Sequence, residues 1–135
     1  MGTVYIGSAH IDENGNARGG KAGDQTGKEL STQKWYLHDK GWVLIRAKDN
    51  TVREKIAQAM QAACDNKHIG YDQGQRDSLY SAARQLGFDP GRVTTDVECD
   101  CSSLVRVCVA YAGIDVASFR TTDEVKKLTG TGYFA

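Results

Sequence analysis

Between Leu104 and Ala112 only Arg106 is charged, and the segment Leu104-Val105-Arg106-Val107-Cys108-Val109-Ala110-Tyr111-Ala112 is apolar almost all round. A helix of that kind has no face to offer water and has to lie in the middle of the fold. Gly113 supplies a C′ residue at one end. At the other end stands Asp100-Cys101-Ser102-Ser103, a polar start for a helix that is otherwise hydrocarbon. Cys101 thus heads the buried helix, where free backbone N–H groups and the positive end of the helix dipole favour a thiolate. Cys108, in mid-helix among valines, reads as a small core residue. Cys101 does not, because it lies at a polar boundary that solvent and substrate can reach. It is the candidate nucleophile.

The chain has 135 residues, enough for one core and too few for two, so residues 1–135 are read as a single domain. Seventeen Lys and Arg balance seventeen Asp and Glu, which removes any bulk electrostatic case for nucleic acid or an anionic membrane. The apolar runs fall short of a bilayer span. Residues 1–15 lack the basic start and apolar run of a secretory signal, so synthesis in the cytoplasm is expected. Cys64, Cys99, Cys101 and Cys108 offer one C-x-C pair, too close for an unstrained bridge and too few for a zinc site. Four free thiols, one of them special, and no metal are expected.

Along the chain, residues 3–11 read as a strand, and a glycine-rich loop from Asn14 to Gly27 follows. Residues 28–37 alternate loosely, His38 to Gly41 is a turn, and Trp42 to Arg46 reads as a further strand of a small antiparallel sheet. Val52, Ile56, Ala59, Met60 and Ala63 recur at helical spacing from a cap at Asp49-Asn50 to about Asn66. Leu79, Ala82, Ala83 and Leu86 mark a second helix, over 75–87, that stops at Gly87. Thr121 to Leu128 is expected to form a last short helix capped by Thr121 or Thr122, and Thr129 to Ala135 ends without a closing element. The class is α+β: a buried helix led by Cys101 on a small antiparallel sheet, with two further helices outside.

Asp100-Cys-Ser-Ser-Leu-Val105, continued by Arg106-Val-Cys-Val-Ala-Tyr-Ala-Gly113, resembles the nucleophile helix of the NlpC family of papain-like cysteine hydrolases. The wider chain, with Gly23-Asp-Gln-Thr-Gly-Lys-Glu29, Trp35-Tyr36 and Ile69-Gly-Tyr-Asp-Gln73, is similar to phage endolysins of that type. The resemblance implies a papain-like domain that cuts an amide of the peptidoglycan stem peptide, acts on the cell wall and needs no cofactor. It implies attack by Cys101, a thioester that water resolves, and Tyr71 packed beside the thiol.

The family's general-base histidine lies on a strand after the nucleophile helix, and no histidine follows Cys101 here. Three accounts stay open. The domain is truncated before its histidine strand, with a missing segment or a second chain supplying the imidazole; or the fold is permuted and His10 is the base; or the chain binds wall peptide without turnover. His38, in a polar turn, and His68, after a helix end, are weaker candidates. Gly15 to Ala22 matches G-x-x-x-x-G-K but carries Ala22 where a nucleotide-bound Mg²⁺ needs Ser or Thr, and Gly23 and Gly27 forbid a helix there. The loop is instead read as a cleft wall, with Asp24 and Gln25 as substrate contacts beside Asp100 and Ser102.

Overall fold

The structure is a computed structural model, and it describes residues 5–9, 30–35, 43–72 and 74–135. Strand β1 (Tyr5–Ala9) pairs antiparallel with β2 (Leu30–Lys34), in a register that puts Tyr5 opposite Lys34 and Ala9 opposite Leu30. The ribbon is exposed at the Tyr5 end and buried at Ala9 and Leu30, so only one end of it enters the core. Helix α1 (Asn50–Cys64) packs across it. A Cβ at Gly7 would stand 2.5 Å from Met60 Cγ, and the missing side chain is what lets helix and ribbon approach. Asp49 caps α1 by accepting the Val52 N–H at 3.0 Å, as the sequence pattern anticipates.

A second pair of strands, β3 (Ile69–Tyr71) and β4 (Val97–Cys99), runs parallel, with Tyr71 opposite Cys99. The connection between them carries helix α2 (Ser78–Arg84) and a 3₁₀ turn at Pro90–Arg92. Parallel strands require such a crossover, because a tight turn can only join antiparallel neighbours. The expected single antiparallel sheet is therefore corrected to two two-stranded sheets among the described residues, one of each kind. Residues 43–46 form no strand. Only Ala47 makes a bridge, and it does so with Phe134.

Helix α3 (Cys101–Tyr111) follows β4 directly and packs against α1 and α2. Leu104, Val107 and Cys108 enter one core with Ile69, Tyr71, Leu79 and Ala83, all between 0% and 2% exposed. Val109 enters another with Ala47, Ile114, Phe119, Leu128 and Phe134. The helix is central because hydrocarbon meets it on both sides, in line with its composition. Gly113, at φ +93°, takes the left-handed conformation that ends it.

Helix α4 (Glu124–Gly130) starts later than expected, and Asp123 stands at its N-cap in place of a threonine. The Asp123 carboxylate turns back to accept the Arg120 N–H at 2.8 Å, so it closes the preceding turn and does not cap the helix. The final residues also depart from expectation. Arg46 and Ala135 exchange backbone hydrogen bonds of 2.8 and 2.9 Å, the Lys48 N–H reaches the Tyr133 carbonyl at 2.9 Å, and Phe134 is 8% exposed. The tail is a packed closing element. No helix among the described residues is long and apolar enough to cross a membrane.

Candidate active site

Asp100, Cys101, Ser102 and Ser103 form the first turn of α3 and its cap. The Asp100 carboxylate accepts the Ser103 N–H at 2.8 Å, while the Ser103 hydroxyl accepts the Asp100 N–H at 2.8 Å. This reciprocal capping box fixes the direction in which the helix leaves β4. A buried carboxylate needs a cation, and Arg76, in the segment before α2, supplies it.

Arg76 is 8% exposed and gathers the site. Its Nε donates to Asp100 Oδ2 at 2.8 Å, and its Nη2 donates to Ser102 Oγ at 2.7 Å and to the Phe119 carbonyl at 2.5 Å. Its Nη1 donates to Ser118 Oγ at 3.2 Å. Ser102 Oγ in turn donates to Asp100 Oδ1 at 3.2 Å. One guanidinium thus ties the start of α3 to the loop before α4. Burial alone would raise the Asp100 carboxyl, but the bonds from Arg76 and Ser103 win, and its pKa is lowered.

All four cysteines are free thiols. Cys99 and Cys108 are fully buried, and burial pushes the Cys108 pKa up to about 12. Cys101, at the first position of α3, is partly exposed. Its pKa is raised as well: burial is the largest cause, and the charges of Asp100 and Glu124 add to it. The Ser102 and Cys101 N–H groups favour the thiolate, as expected at a helix start, but they are outweighed. The balance holds the Cys101 proton more tightly than on a free thiol, so a nucleophile made from it needs its proton removed as it attacks.

Of the other expected site residues, Asp100 and Ser102 are 4% and 2% exposed and face Arg76. Tyr71 is 2% exposed on β3, beside β4 two residues before Cys101, so it is a core aromatic and not one at a wet boundary. His10, Asp24 and Gln25 lie outside the described residues, as do His38 and the Gly15 to Ala22 segment. His68 precedes β3 and hydrogen-bonds Asp96 at 2.9 Å, with both side chains about half exposed. Asp96 precedes β4 and Cys101 follows it, so the three-residue strand, about 10 Å long, lies between the partner of this imidazole and the residue that carries the sulfur. Among the described residues no group of three or more His, Cys, Asp or Glu is placed to hold a metal ion.

No local pattern in the sequence marks Arg76 or Glu124. An N-cap aspartate on a helix that has to be buried does signal that some cation lies near, but Arg76, Arg92, Arg106 and Arg120 all qualify until the fold chooses.

The family described as "Endolysin-like domain" matches residues 6–135, which take in every element of the described residues except Tyr5 of β1, and include Cys101. The chain belongs to the endolysin-like domain family. Membership ties this endolysin-like domain to a function in phage lysis at the cell wall. Comparison with curated proteins and with solved structures returns no match.

Proposed function

We propose that this endolysin-like domain is a papain-like cysteine hydrolase that cleaves an amide of the peptidoglycan stem peptide. The observation that carries the reading is Cys101: a partly exposed free thiol at the head of the central helix, in a chain of a lysis family. In the reaction, the Cys101 proton leaves as Sγ attacks the carbonyl carbon. The oxyanion forms where the N–H of Cys101 itself can donate to it. Collapse of the tetrahedral intermediate breaks the C–N bond, the amine leaves with a proton from the same acid–base group, and water hydrolyses the thioester. Asp100 and Ser102 act from beneath, holding the first turn of α3 through Arg76, so their influence on substrate is through the shape of that turn.

The raised pKa of Cys101 makes the acid–base group indispensable, since general acid–base transfer is worth about 10²–10⁴-fold. His10 is the proposed base. Its neighbour Ala9 is 0% exposed, and β1 packs against α3, the helix that Cys101 heads. An imidazole from a further segment or a second chain would serve the same step. Tyr71, and Asp24 and Gln25 as cleft residues, complete the proposed site.

A second reading, wall-peptide binding without turnover, is favoured by the raised thiol pKa and by the strand that lies between the partner of His68 and Cys101. Turbidity clearing of purified cell walls separates the two. The hydrolase reading expects clearing by the unaltered chain and a loss of at least a thousandfold in Cys101→Ala, with Cys108→Ala retaining activity. His10→Ala should cost about 10²–10⁴-fold if that imidazole is the base. Walls that bind the protein in a pull-down yet never clear would establish the second reading.

A further inference from the structure

Beside the first turns of α3 lies an open groove of about 300 Å³. Val43, Leu44, Val105, Val125 and Phe134 are among its walls, and Glu124 is the one ionisable residue lining it among those described. Val43, Leu44 and Val125 are 75%, 81% and 40% exposed, so aliphatic surface is left open there by the described residues. Such surface calls for an apolar occupant. Val105 stands one turn along α3 from Cys101, so the groove begins one helical turn from the residue that carries the sulfur.

Glu124 sits at one border of this hydrocarbon. It is partly buried, and its carboxylate makes no hydrogen bond or ion pair with the described residues. Burial raises its pKa, and the charges of Asp100 and Asp123 raise it further. The two guanidiniums near Asp100 turn to that carboxylate: Arg76 is bound to it, and Arg120 Nη1 lies 3.9 Å from it. A carboxylate repelled by two others, at the edge of an aliphatic channel, is complementary to a positive charge carried on a methylene chain.

We propose that this groove is a subsite for an aliphatic side chain that ends in an ammonium group, with Glu124 binding the charge and the walls of α3 and α4 binding the stem. The assignment rests on Cys101 as the reacting atom, because it makes the groove the path of a residue flanking the cleaved bond. A neutral apolar side chain would use the walls alone and leave Glu124 unpaired. An acidic one would be repelled.

The test is binding, so it needs no turnover. Four fluorescein-labelled tetrapeptides that differ at one side chain, carrying lysine, Nε-acetyl-lysine, norleucine or glutamate, are titrated into the full chain bearing Cys101→Ala and followed by anisotropy. The lysine peptide is expected to bind about tenfold or more tighter than the acetylated and norleucine peptides, and the glutamate peptide weakest. Glu124→Gln should erase the lysine preference while the norleucine affinity stays. Leu44→Asp should weaken norleucine binding. Equal binding of lysine and acetyl-lysine, retention of the preference in Glu124→Gln, or no binding of any peptide at millimolar concentration overturns the subsite. If Glu124→Gln lowers turnover of all four peptides alike without changing binding, Glu124 serves the reaction at Cys101 and the subsite is again overturned. A protein that clears no wall but shows the lysine preference would refute the hydrolase reading and keep the subsite.

Discussion

At the scale of single residues, the site is organised by charge in a place that water barely reaches. Asp100 is 4% exposed and Arg76 8%, and their contact is 2.8 Å. Removing one member of such a pair leaves the other buried and uncompensated, which costs about 3–5 kcal/mol. Arg76→Met is therefore expected to lower the unfolding free energy by about that amount in urea. Asp100→Asn in the same chain should return part of it, because the uncompensated charge is gone. The pH dependence follows from the lowered Asp100 pKa. An unfolded aspartate titrates near about 3.9. The folded group holds its proton less tightly, so its contribution is complete above the unfolded value and disappears as pH falls through the lower folded one. Unfolding free energy measured between pH 6 and pH 2 should fall from about pH 4 downward, and less steeply in Asp100→Asn. A slope unchanged by Asp100→Asn would show that the carboxylate is not held as described.

At the scale of elements, periodicity reveals what is long and capping reveals what is abrupt. Helix α1 was legible from Val52, Ile56, Ala59 and Ala63, and α3 from its composition and Gly113. Strands β3 and β4 were not, because three residues are too few to display a period of two, and Ile69-Gly70-Tyr71 is buried at every position. A strand without an exposed face has no alternation to read. The start of α4 was misplaced because Thr121, Thr122 and Asp123 are all good caps, whereas the Arg120 N–H draws the Asp123 carboxylate into the preceding turn and the helix begins only at Glu124. At the head of α3 the cap is doubled, with Ser103 serving both the Asp100 carboxylate and the Asp100 N–H. Ser103→Ala should leave that N–H buried without its acceptor and cost about 1–2 kcal/mol. It should also loosen the turn that carries Cys101. Denaturant unfolding gives the first number. The second effect is read as faster alkylation of Cys101 by iodoacetamide at neutral pH, because greater exposure removes part of the burial that raises the thiol.

At the scale of the whole molecule, α3 is held between two cores that different parts of the chain complete. Buried residues from Ala9 to Cys108 build one, with α1, α2 and both sheets. The other draws on Ala47, Val109, Ile114, Val116, Phe119, Leu128 and Phe134. Its closure by the last residues was illegible in the sequence, since Thr131-Gly132-Tyr133-Phe134-Ala135 has one apolar side chain to bury and its partner lies at Ala47, far away along the chain. The same reason hid Arg76: pairings between distant residues leave no local pattern. Phe134 tests the second core. Its ring is 8% exposed and packs in the cluster with Leu128 and Val109, so Phe134→Ala removes buried hydrocarbon and opens a cavity, at an expected cost of about 3–5 kcal/mol. The backbone bonds between Arg46 and Ala135 do not depend on that ring, so the variant should unfold earlier in guanidinium without losing its fold in its absence. The Arg76 network holds the start of α3 independently of Phe134, and Asp100 and Ser102 should keep their places. Two measurements on one variant then decide the matter. A large loss of stability with an unchanged rate of Cys101 alkylation fits two cores that share a helix but pack on different sides of it. A loss below about 1 kcal/mol would mean that the tail is not packed on Ala47 and Leu128. An altered alkylation rate would mean that the closing segment reaches through α3 to the sulfur.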